Sequence, residues 1–103
     1  MHYEIVFITN ESLIIPNNAI IIANNFRIID DNSLIYNNEN IYFDYLITDN
    51  LEVLKDLKVL FEHKKAIVNS NFMTSQENIF AFGKAILSNK DYISQVKTIL
   101  ESL

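Results

Sequence analysis

The sequence predicts an α+β fold: an antiparallel β-meander followed by an α-β-β-α segment. Three observations carry that prediction. The first half is a series of short runs rich in Ile, Val, Phe and Tyr, each bounded by Asn, Asp, Ser or Pro. The apolar period then lengthens to helical spacing at Leu51. Near the C-terminal third, an apolar run ends on Gly83, which is the only glycine among 103 residues. A chain of this length is expected to be one domain over 1–103, β-rich over 1–48 and mixed over 49–103.

The elements follow in order. Strands are predicted at 3–9, 13–15, 19–23, 26–30, 34–36 and 41–48, from their β-branched and aromatic content. The breaks between them are Asn10-Glu11-Ser12, Pro16-Asn17-Asn18, Asn24-Asn25, Asp30 to Ser33 and Asn37 to Asn40. Asn and Asp tolerate the left-handed region and bond their own backbone in turns, so they stand in for absent glycines. Close spacing of such strands predicts antiparallel pairing.

Leu51, Leu54, Leu57, Leu60 and Phe61 then predict an amphipathic helix over 50–63, with Asp49 and Glu52 as a capping box. On that reading Lys64-Lys65, beside His63, sit at the helix C-terminus, where cations meet the dipole. A short strand at 66–68, a polar loop at 69–76 and a buried strand at 78–82 come next. The last helix is predicted over 90–101. Asn89 or Asp91 caps it, and Tyr92, Ile93, Val96, Ile99, Leu100 and Leu103 face inward.

Composition excludes several functions. The net charge of −5 leaves nothing to neutralise a row of phosphates, so nucleic acid is not an expected partner. With no Cys and two distant His, neither thiol chemistry nor a metal site is expected. The longest apolar run, Ala19 to Ala23, is far too short to span a bilayer, and the first residues lack a signal-peptide pattern, so the expected compartment is the cytoplasm. Half the residues are apolar and only 20% are charged, which points to a surface buried by self-association or by a protein partner.

The candidate site is the bend after the 78–82 strand. Gly83 lets the backbone turn sharply or lets another group approach closely. Ala81 and Phe82 lead into it and Lys84 leaves it. Asp30-Asp31, in a turn cluster, reads as solvated. No Ser, His and Asp arrangement suggests a nucleophile.

The stretch Thr74-Ser75-Gln76-Glu77-Asn78-Ile79-Phe80-Ala81-Phe82-Gly83-Lys84 resembles the Thr-Ser-x-x-x-Ile-Phe-Ala-x-Gly-Asp segment of FAD-dependent pyridine nucleotide-disulfide oxidoreductases, the thioredoxin reductase-like family. Ala66 to Met73 and Tyr42 to Ile47 resemble neighbouring strands of the same family, and the last helix matches its final helix. The resemblance implies a flavin-facing bend, with Ala81, Phe82, Gly83 and Lys84 as the cofactor-binding residues and FAD as the implied ligand. Where that family has an Asp that accepts a hydrogen bond from the flavin's ribityl chain, this chain has Lys84, which donates instead. One glycine also cannot supply the Gly-x-Gly-x-x-Gly turns that hold the family's dinucleotides. The expectation is therefore a protein that is not an enzyme on its own: an accessory subunit or weak flavin or nucleotide binder. The alternative is a small protein-protein interaction module.

Overall fold

In the computed structural model, which describes residues 1–103, the long strand β5 (Glu39–Thr48) is the spine of a mixed six-stranded sheet. Along one side of it runs β1 (His2–Ile8), parallel, with β2 (Ala19–Ile22) parallel beyond. Two different partners divide the other side. β4 (Ser33–Tyr36) pairs antiparallel with the amino half of β5, and β3 (Phe26–Asp30) lies outside it. The carboxyl half pairs in parallel, through a later strand, with Ile79, Phe80 and Ala81 opposite Leu46, Ile47 and Thr48. After β5 come α1 (Leu51–Asp56), the hairpin of β6 (Phe61–Glu62) and β7 (Lys65–Ala66), then that parallel strand, β8 (Ile79–Ala81), and finally α2 (Tyr92–Ser102). The protein is α+β. Its largest fully buried side chains, among them Phe7, Leu46, Ile79 and Phe82, belong to one continuous core.

The meander is confined to β3, β4 and β5, and the other first-half pairings correct the all-antiparallel expectation. Ile5 to Ile8 are buried without alternation, as in a strand covered on both faces, and strands of that kind pair in parallel. Residues 13–15 are not a strand: the segment after β1 crosses to β2 as an open loop, and Pro16 accepts the Ala19 N–H at 3.3 Å.

The first helix is also shorter than its leucine stripe implied. Leu57 caps it, and Lys58 takes a left-handed φ of 62°. The Lys58 N–H then reaches Lys55 O at 3.0 Å, and the Val59 N–H reaches Leu54 O at 3.3 Å. This pair of bonds, with Val59 and Leu54 both buried, is a Schellman stop with Lys in the position usually given to Gly. Leu60 and Phe61 therefore lie outside the helix, and Leu60 is exposed. Its N-cap is Asn50, whose side chain accepts from Glu52 N and Val53 N; Asp49 plays no capping role.

His63-Lys64 is thus not a helix end. Both residues have positive φ and form the two-residue turn between β6 and β7. The strand expected at 66–68 is reduced to Lys65–Ala66, which pairs with β6 and stays off the main sheet. In α2, Asp91 is the cap, accepting from Ser94 N. Gln95, Val96 and Ile99 are buried while Ile93 and Leu103 face out, so the inner face is rotated from the predicted one.

Candidate functional site at the carboxyl edge of the parallel strands

β1, β2, β5 and β8 run in the same direction, so their carboxyl ends meet at one edge of the sheet. Side chains leave that edge without ladder partners, and ligands of open α/β sheets commonly sit there. Here the edge holds a cleft of about 340 Å³, lined by Ile8 at the end of β1 with Thr9 and Asn10 after it, Ala23 after β2, Asp49 to Glu52 after β5, and Lys84 after β8.

Local chemistry fixes each side chain. The Thr9 hydroxyl accepts the Glu11 N–H at 3.0 Å, which turns the chain away from β1. The Thr48 hydroxyl donates to Ile8 O at 2.7 Å and accepts the Asn50 N–H at 3.0 Å. It thereby clamps the ends of β1 and β5 and sets Asp49 between them. Asp49 is only 8% exposed. Burial pushes its carboxyl above the ordinary carboxylate value, while a hydrogen bond with Thr9 and the Lys84 charge pull the other way and Glu11 adds to the rise. Tyr92 packs beside this edge, its ring 6.5 Å from that of Phe82. Its phenol is pushed up by desolvation and then by the neighbouring Glu11 carboxylate.

The residues singled out in the sequence separate into two groups. Ala81 and Phe82 are fully buried, and the Phe82 N–H bonds Thr48 O at 3.1 Å, so they form the floor beneath the bend and present no side chain to the cleft. Gly83 opens a short 3-10 turn, Gly83–Ala85, with φ +60°. A Cβ on it would meet Asp49 Cβ at 3.5 Å and Asp49 Oδ2 at 3.8 Å, which is ordinary contact. The glycine is therefore required by the backbone conformation more than by crowding. Its N–H is taken by Gln95 Oε1 at 2.6 Å, and Gln95 is itself buried. Of the four, only Lys84 reaches the cleft. Lys65 approaches the same turn, but its ammonium donates to Lys84 O at 2.5 Å and does not line the cleft.

Thr9, Asn10 and Asp49 are the residues that sequence reasoning missed. Each lies one or two residues beyond the end of an apolar strand, as Gly83 does, and that position was the available signal. The strand directions needed to bring them together were not legible, because antiparallel pairing would have sent Thr9 and Thr48 to opposite ends.

A whole dinucleotide does not fit this edge. The turn after β1 is Thr9-Asn10-Glu11, with side chains where a pyrophosphate needs bare backbone, and the cleft lies at the small end of the range for ligand pockets. No group of His, Cys, Asp and Glu is arranged to hold a metal ion, and no helix is long and apolar enough to cross a membrane. Compared with known proteins, the chain matches no family model, no curated protein and no solved structure.

A second concavity lies between the loop after β1 and α2. It measures about 580 Å³, and Leu13, Ile14, Ile93, Val96 and Leu100 make its apolar wall. Ile14 is 98% exposed at its rim.

Proposed function

We propose that this protein is a non-catalytic binding domain, related in architecture to the thioredoxin reductase-like flavoproteins, that takes a flavin or nucleotide fragment at the carboxyl edge of its parallel strands. The observation that carries this reading is the convergence of Thr9, Asp49 and Lys84 from three adjacent strand ends around one cleft. The 66–84 resemblance supports the same edge, because Gly83 follows a fully buried strand and turns with positive φ. Catalysis is not part of the proposal: the hydroxyl beside the buried Asp49 carboxylate is that of Thr9, which is engaged by the Glu11 N–H as a turn bond. A cytoplasmic accessory subunit fits this role.

The test is to titrate purified protein with riboflavin, FMN and FAD and to follow flavin fluorescence and visible absorbance. Saturable quenching of flavin fluorescence is the expected result. Unchanged fluorescence for all three at high protein concentration removes the proposal.

A second reading is favoured by the apolar groove beside α2. A second copy of the chain is its proposed occupant. Lys97 and Glu101 lie on the groove wall one helical turn apart, and a two-fold arrangement of two α2 helices sets the Lys97 of each copy against the Glu101 of the other. Ile14 supplies the protruding apolar contact. Sedimentation of the wild type and of Ile14→Asp decides it. A dimer that Ile14→Asp dissociates is expected, and a wild-type monomer at high concentration rejects the reading.

A further inference from the structure

The lining of the carboxyl-edge cleft is matched to hydroxyl groups and mismatched to phosphate. Asp49 and Glu52 offer acceptors, Lys84 offers a donor, and Thr9 and Asn10 offer both. Adjacent hydroxyls on a ligand donate and accept from neighbouring oxygens, so they can satisfy such an alternating set. A phosphate dianion only accepts.

Charge points the same way. Two carboxylates, Asp49 and Glu52, face one ammonium, Lys84, in the lining. Outside the lining, a third carboxylate, Glu11, acts on Asp49 from the side, and Lys65, whose ammonium bonds Lys84 O, is the one further cation on the turn, so carboxylates still outnumber ammonium groups there. Lys55 stands 3.5 Å from Glu52, but both side chains are well exposed, and an ion pair of that kind offsets little. Asp49 is the opposite case. It is buried at the end of β5, so its charge is poorly screened by solvent ions. The chain as a whole carries −5. An approaching phosphate therefore meets net repulsion, whereas a neutral polyol meets the same carboxylate acceptors without that repulsion.

Resting on the reading of this cleft as a flavin or nucleotide-fragment site, we infer that it takes the uncharged, hydroxyl-bearing part of its ligand, with Asp49 as the principal acceptor, and selects against the phosphorylated form.

Three probes separate the contributions. Lumiflavin has the ring without the hydroxyl chain, riboflavin has both, and FMN adds a phosphate. Fluorescence titrations of the full chain are expected to rank riboflavin first, with lumiflavin and FMN each weaker by roughly tenfold, the scale of one charge-assisted hydrogen bond. In Asp49→Asn, riboflavin falls to the level of lumiflavin. In Glu52→Gln, an exposed change that leaves the fold intact, the gap between riboflavin and FMN narrows. Competition against bound riboflavin identifies the source of the hydroxyls: displacement by adenosine assigns a ribose, and displacement by ribitol an open chain. FMN binding as tightly as riboflavin overturns the inference and leaves the flavin reading standing, as does riboflavin binding no better than lumiflavin. Absence of binding by every flavin and by adenosine overturns both. Circular dichroism of Asp49→Asn guards against loss of fold, and Glu52→Gln keeps the inference open to refutation if Asp49→Asn does not fold.

Discussion

The two halves of β5 share one backbone and differ in almost everything else. Its amino half, Glu39 to Tyr42, pairs antiparallel with β4, and most of its residues are exposed; in this part of the strand burial falls on alternate residues, Ile41 and then Phe43. Its carboxyl half, Leu46 to Thr48, lies between parallel β1 and parallel β8 and is buried residue after residue. Half-solvated antiparallel sheet needs only one apolar face, while parallel sheet is covered on both. The consequence for function is direct. The exposed half begins at the hairpin turn Asn37-Asn38, which meets only Asn25 and the neighbouring residues of β3 and β4 in a concavity without a carboxylate, while the buried half ends in Asp49, beside the ends of the strands that flank it. One end of this strand builds surface, and the other lines the candidate cleft.

The largest expected effect tests that division in the core. Leu46→Ala removes a fully buried side chain between β1 and β8, and it should cost about 2–5 kcal/mol of unfolding free energy. Tyr42→Ala, on the same strand, removes a side chain that is half exposed, and it should cost about 1 kcal/mol or less. Denaturant midpoints with unchanged slopes measure both. Equal losses would mean that the two halves are not different environments.

The turns at the two ends give the next effect. Gly83→Ala forces a Cβ into φ +60° without a clash, since its nearest neighbour is Asp49 Cβ at 3.5 Å, so the cost should be about 1–2 kcal/mol from backbone conformation alone. At the hairpin end, Asn38 already occupies φ 67°, and Asn38→Gly should change stability by about 0.5 kcal/mol or less, in the favourable direction. Thermal melts of the pair check the contrast. A Gly83→Ala protein as stable as wild type would show that the bend tolerates a side chain.

These turns also show what was legible in the sequence. Asn25, Asn37 and Asn38 were readable as left-handed positions because their side chains suit that conformation. Lys58, His63, Lys64 and Phe72 adopt positive φ with no such signal. Tertiary demands impose it: Val59 must return to Leu54 and end the helix, and the β6–β7 hairpin must close in two residues. Ile79 to Phe82 announced themselves as a buried strand by composition, and Gly83 as a bend by being alone. The local sign of strand direction was the unbroken apolar run, as in Ile5–Ile8, which marks a strand covered on both faces. The close spacing of the strands argued for antiparallel pairing instead, and so the gathering of Thr9, Asp49 and Lys84 at one edge was missed.

Asn50 joins the carboxyl end of β5 to α1, and its cap provides a smaller test. Asn50→Ala removes the acceptor for the N–H groups of Glu52 and Val53, at 3.0 and 3.2 Å, and should cost about 1 kcal/mol. Because the helix is only six residues long, the loss should appear as faster hydrogen exchange throughout Leu51–Asp56 and not only at its first turn. Exchange confined to the first turn would mean that packing of Val53 and Leu54 alone holds the helix.

The smallest effect is read from pH, and here the two ends of the antiparallel and parallel regions carry opposite signs. Asp30, in the β3–β4 turn, accepts from Asn32 N at 3.0 Å and from Ser33 Oγ at 2.8 Å, and these bonds hold its carboxyl below the ordinary value of 3.8. Its contribution to stability is complete above 3.8 and is lost as pH falls through its folded value. Asp49 is the reverse. Burial lifts its carboxyl above 3.8, so the fold binds that proton more tightly than the unfolded chain does. Its ionisation therefore weakens the fold progressively as pH rises from 3.8 through the folded value. Asp49→Asn should accordingly gain on the wild type at pH 7 and lose that advantage near about pH 4, whereas Asp30→Asn should fall behind at pH 7 and draw level only in stronger acid. Denaturation of the three proteins across this range gives the two differences directly. If Asp49→Asn is the less stable protein at pH 7, its carboxylate is held by interactions stronger than its burial penalty, and the contrast between the two regions does not extend to their charges.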